Sequence, residues 1–168
     1  MSEPVARLND LQSFPMTPEG GSDRFGALVA SFGERIGLKG LGMMYVQVEP
    51  GKRAFPFHNH LANDEAFVIL EGRATYRFGD REIAVRAGDV CAAPHGGPET
   101  AHQLINTGDG PLRYIGISTQ RDPEVVEYPE SEKFAVLAVK PGTGFMNAHL
   151  RFVGRRKTSI DYWDGERT

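Results

Sequence analysis

The chain has 168 residues, enough for one domain with a sizeable core and too few for two comfortable ones. Apolar residues make up 40% and charged residues 24%, an ordinary globular balance, and no apolar run nears the roughly 18 residues of a membrane span. A formal net charge of -3 gives no electrostatic footprint for nucleic acid, so neither nucleic acid nor membrane is an expected partner.

The opening MSEPVARLND is polar and holds acid, not a basic apolar leader, so the cytoplasm is the expected compartment. Residues 1–40 mix proline, glycine and short apolar runs. They read as an N-terminal arm with one possible strand over 27–32, packed on the core or on a partner. From Gly42 the pattern sharpens, and residues 41–120 read as the core of the domain. MMYVQVEPG predicts a strand ending in a Pro-Gly turn, and EAFVILEG a strand closed at Gly72. ATYRFGDREIAVRAGD predicts a hairpin turning at Gly79-Asp80. DVCAAP, HQLINTGDG and LRYIGIST supply three more strands. Residues 121–168 carry C-terminal strands, FAVLAV among them, and an extended tail packing on the core or on a partner. Turn signals recur closely and nothing reads as a long amphipathic helix, which predicts an all-β sandwich or small barrel.

Chemistry concentrates in two segments, GKRAFPFHNHLANDEAFVILEG and GDVCAAPHGGPETAHQLIN. A strand puts residues i and i+2 on one face, so His58 and His60 can aim two imidazoles into one space. Glu65 follows the polar turn LAND, and His102 opens a separate strand-like run. Three imidazoles and a carboxylate suit one borderline divalent cation: zinc, iron, nickel or manganese. On an octahedral ion these four ligands would leave two positions for water, oxygen or substrate.

The two segments resemble the paired motifs of the cupin superfamily. Gly51, His58, His60, Glu65 and Gly72 follow the first motif, with six residues after Gly51 where the family has five. Gly88, Pro94, Gly96, His102 and Asn106 follow the second, with five residues between Gly96 and His102 where the family has about two. The resemblance covers about residues 40 to 120 and implies a double-stranded β-helix, or jelly-roll barrel, flanked by extended N- and C-terminal arms. It implies His58, His60, Glu65 and His102 as metal ligands, and a homodimer. The VVEYP and DYWDGE stretches resemble a bacterial branch loosely described as sugar-phosphate isomerases.

Other residues carry weaker claims. Glu65, Phe67 and Ile69 share a face by alternation, which makes Phe67 a candidate wall of a metal pocket; Phe57 and His95 are further pocket candidates. Gly72, Gly88 and Gly96 are expected at turns whose backbone angles a side chain resists, and Asn106 is expected to tie down the NTGD turn. Cys91, the only cysteine, reads as a small buried apolar residue. The basic run Arg155, Arg156 and Lys157 is soon followed by Asp161, Asp164 and Glu166 and reads as a solvated face. No general base stands out. The functional expectation is a metal-dependent protein acting on a small polar molecule, a sugar, sugar phosphate or hydroxy or keto acid, by isomerase- or dioxygenase-type chemistry. The alternative is a non-catalytic, metal-bearing module that binds or senses a small ligand.

Overall fold

Short alternating runs bounded by glycine and proline become thirteen strands in the computed structural model, which describes residues 3–139 and 148–167. The expectations for residues 1–2, 140–147 and 168 lie outside the described residues. The strands are β1 (Phe14–Met16), β2 (Ala27–Ser31), β3 (Leu41–Val48), β4 (Asn59–His60), β5 (Glu65–Glu71), β6 (Arg73–Phe78) and β7 (Arg81–Arg86). There follow β8 (Val90–Ala93), β9 (His102–Asn106), β10 (Leu112–Thr119), β11 (Glu124–Tyr128), β12 (Lys133–Ala138) and β13 (Leu150–Arg155). The helical pieces among the described residues are single short 3-10 turns, so no helix is long and apolar enough to cross a membrane.

Every pairing between these strands is antiparallel. One sheet runs β1-β2-β3-β10-β5-β8, a second β7-β6-β9, and a third β13-β12-β11-β4. Inward positions of the first two interdigitate in one core that includes Val46, Val48, Ile69, Tyr76, Leu112 and Tyr114. Ile69, Leu112 and Val46 are among the largest fully buried side chains, and each such burial contributes about 1.5–3 kcal/mol. Val126, Ala135 and Leu137 form a smaller cluster under the third sheet. This nearly all-β arrangement is the double-stranded β-helix that the motifs imply.

Three features depart from the sequence reading. The arm holds a second strand, β1, and through the β1–β2 and β2–β3 pairings it extends the large sheet. No strand was expected at Glu124–Tyr128, a five-residue run with two glutamates. There β11 pairs with β4, Val126 opposite His60, and so brings the C-terminal sheet against the histidine segment. Of the three marked glycines, Gly72 and Gly88 have φ of +90° and +94°, while Gly96 has no positive φ. Gly96 is needed for space instead, because a Cβ there would lie 2.7 Å from Thr100 Cγ2.

Asn106 is wholly buried and locks its turn: its amide donates to the Val48 and Gly110 carbonyls and its oxygen accepts from Gly108 N. Cys91 is buried, and burial pushes its thiol up to about 11, which keeps it protonated. At the far end, Tyr162 and Trp163 are exposed.

Candidate metal centre

Backbone pairing positions the histidines before any side chain is considered. His58 and His102 face each other in an isolated antiparallel bridge, His58 N donating to His102 O at 3.2 Å and His102 N to His58 O at 2.8 Å. Their rings therefore lie side by side, with centroids 4.5 Å apart. His60, two residues on and on the same face, brings its ring within 5.0 Å of His58. Glu65 opens β5, paired to Ala93 on one side and Ser118 on the other, and its carboxylate reaches all three imidazoles. Glu65 Oε2 lies 3.1 Å from His102 Nε2, 3.5 Å from His60 Nε2 and 3.9 Å from His58 Nε2. One ligand atom from each of the four residues falls within 4.8 Å of the others.

This cluster fits a metal ion. Metal–ligand bonds of about 2.0–2.2 Å set ligand atoms roughly 3–4 Å apart around a common centre, and the three carboxylate–imidazole distances of 3.1, 3.5 and 3.9 Å fall in that range. The outer ring nitrogens are held as well: His58 Nδ1 lies 2.8 Å from the Pro56 carbonyl and His102 Nδ1 3.2 Å from the Thr100 carbonyl. A carbonyl only accepts, so these Nδ1 atoms carry a proton, and on binding an ion Nε2 would turn its lone pair to the cluster. Both His60 ring nitrogens are buried without a hydrogen-bond partner, and Nε2 faces the cluster, as expected of an atom whose partner would be an ion.

Charge is unevenly spread over the cluster. Burial, aided by neighbouring His102, pulls His58 down to about 3, so its ring is neutral. Burial also lowers His60, but the carboxylates of Glu124 and Glu65 outweigh it and raise His60 to about 9. Burial raises Glu65, yet the contacts of His102 and His60 prevail and hold its carboxyl well below the usual carboxylate range.

Phe55, Phe67, Leu104, Gln103 and Tyr114 wall a small cavity against the His58 and His102 rings. Phe67 packs 5.5 Å from the His102 ring and 5.9 Å from Tyr114, centroid to centroid. Of the three pocket candidates, Phe67 is the one in that lining. Phe57 is buried beneath the Arg77 guanidinium, 4.2 Å from its ring, and Phe55 stands at the wall instead. His95 is half-exposed and paired to Asp64, Nδ1 to Oδ1 at 2.6 Å. Sequence reasoning missed Tyr128, stacked 6.1 Å from the His58 ring, and Glu124, whose Oε2 is 3.4 Å from His60 Nδ1. Nothing in the spacing signals either, because both arrive through the β4–β11 pairing.

Residues 44–118 match the profile of the cupin domain family. An uncharacterized protein of Methanocaldococcus jannaschii is 31% identical over 42% of this chain and 57% of its own length. An oxalate-binding protein of Thermotoga maritima is 26% identical over 43% of this chain and 56% of its own length. The matched region thus spans little more than half of these curated relatives. Among solved structures, a cupin-superfamily sugar phosphate isomerase from Silicibacter pomeroyi aligns with a TM-score of 0.74 at 21% identity, over 96% of this chain and 98% of its own. That likeness concerns the fold alone.

Proposed function

We propose, because residues 44–118 match the cupin domain family, that this chain is a metal-dependent protein that acts on a compact polar acid, such as a small hydroxy or keto acid. His58, His60, Glu65 and His102 would hold one divalent transition-metal ion. The observation that carries this reading is the convergence of three Nε2 atoms on Glu65 Oε2 at 3.1, 3.5 and 3.9 Å. When bound, such an ion supplies Lewis-acid polarisation of a carbonyl or hydroxyl oxygen. The chain's own contribution is orientation and dryness. Phe55, Phe67 and Leu104 keep bulk water from one side of the histidines. Tyr114 is fully buried, and that burial raises its hydroxyl so that it keeps its proton.

The cavity against the rings has a volume of about 10 Å³, room for about one water molecule. The name of the Thermotoga relative, an oxalate-binding protein, points to a small diacid of this kind.

A non-catalytic binding or sensing module is the second reading, favoured by one observation. Beyond the candidate ligands, the cavity lining offers no carboxylate or imidazole to act as a general base. A homodimer belongs to the same proposal. β13 is the outer strand of its sheet and exposes Leu150, Phe152 and Val153, as an edge covered by a second copy would.

Calorimetry on the metal-loaded protein with oxalate, pyruvate and a sugar phosphate tests the ligand class. Binding of the small acids alone is expected, and preference for the sugar phosphate would overturn it. Oxygen uptake or product formation on adding the bound acid separates an enzyme from a binding module.

A further inference from the structure

We propose that Glu124 is a positioning residue for the metal centre, fixing the His60 ring so that Nε2 presents its lone pair to the ion; this rests on the metal-binding reading above. His58 and His102 each turn Nδ1 to the carbonyl two residues earlier, Pro56 and Thr100. For His60 the corresponding carbonyl is that of His58, and it already accepts His102 N–H at 2.8 Å. A distant acceptor takes its place. Glu124, 8% exposed at the start of β11, sets Oε2 3.4 Å from His60 Nδ1.

The surroundings of Glu124 require a carboxylate. Its Oε1 accepts Ala62 N–H at 3.2 Å and Val125 N–H at 2.9 Å. Its Oε2 accepts the Asn63 amide and faces His60 Nδ1. Asn63 can only donate there, because its oxygen accepts Thr119 Oγ1 at 2.9 Å and Arg121 N at 2.6 Å. Donor groups thus occupy three of the roughly four lone-pair sites of one carboxylate, and His60 Nδ1, 3.4 Å from Oε2 and without another partner, faces the fourth. Glutamine cannot replace it, since one amide orientation turns an NH2 toward the Ala62 and Val125 N–H groups and the other toward the Asn63 amide. With the carboxylate 3.4 Å away as its nearest acceptor, His60 Nδ1 would keep its proton when the ion binds, and Nε2 would turn its lone pair to the cluster.

The test compares cobalt(II) affinity of wild type and Glu124→Gln by competition with a chromophoric chelator, with thermal melts of the chelated proteins as the fold control. The expected result is about a 10–100-fold loss of affinity, the usual effect of removing a partner behind a metal-bound histidine, with an altered cobalt absorption band. Equal affinity and an unchanged band in a folded variant would overturn the positioning role while leaving the metal reading intact. Wild type that takes up no cobalt would overturn both. Should the variant not fold, nitrogen-15 imidazole spectra of zinc-loaded wild type decide: a proton on His60 Nδ1 supports the role, and one on Nε2 refutes it.

Discussion

The two flanks of the histidine cluster are built differently. On one, His58 and His102 are paired backbone to backbone and each leans on a carbonyl two residues away. On the other, His60 Nδ1 has no such carbonyl and faces Glu124, 64 residues later on the C-terminal sheet, at 3.4 Å. The first flank is set by one antiparallel bridge and by the carbonyls two residues before each histidine. The second makes the centre conditional on the docking of β11 against β4, so the C-terminal sheet is part of the site and not only a cover.

Several expected outcomes sharpen that contrast. The largest effect belongs to a candidate ligand itself: His102→Ala should lower metal affinity by more than the ~10–100-fold expected of an outer partner, as read by chelator competition. Retained affinity would remove His102 from the set. Next comes the packing both flanks share. Phe67→Ala opens space against His102, Tyr76 and Tyr114 and should cost about 3–5 kcal/mol in denaturant unfolding.

A smaller loss is expected at Asn63, which joins Glu124 to Thr119 and Arg121. Asn63→Ala leaves buried partners unpaired, so about 1–3 kcal/mol of stability should go, with metal affinity falling less than in Glu124→Gln. The flanks should also separate by pH. His60 sits at about 9 in the metal-free protein and must lose a proton to bind, whereas His58, at about 3, is already neutral. Metal affinity should therefore climb about tenfold per pH unit on approaching 9 and level off above it, with close to one proton released per ion at pH 7. A flat profile between pH 6 and 9 would show that the carboxylates around His60 do not hold its proton. The smallest change is expected at the tail, where Trp163→Ser in the exposed segment should alter stability by less than about 0.5 kcal/mol.

The same division explains what the sequence disclosed. The i, i+2 histidines, the glutamate beyond a polar turn and the framing glycines are short-range signals, and strand geometry alone turns them into a shared face. The hairpin at Gly79-Asp80 and the alternation of β10 were legible for the same reason. Glu124 was not, because a glutamate in a five-residue strand reads as a solvated charge until its long-range pairing is known. Phe57 and Phe55 were ambiguous: both lie near His58 in sequence, and only the structure puts the first under Arg77 and the second at the cavity. Gly96 shows a further limit, since close approach to Thr100, unlike a positive φ, leaves no local signature.

Metal content, measured on wild type and His60→Ala purified side by side without added metal or chelating resin, tests the central claim most directly. Near one transition-metal ion per wild-type chain and almost none in the variant is the expected result. Wild type without metal, or a variant that keeps its full complement, would contradict it.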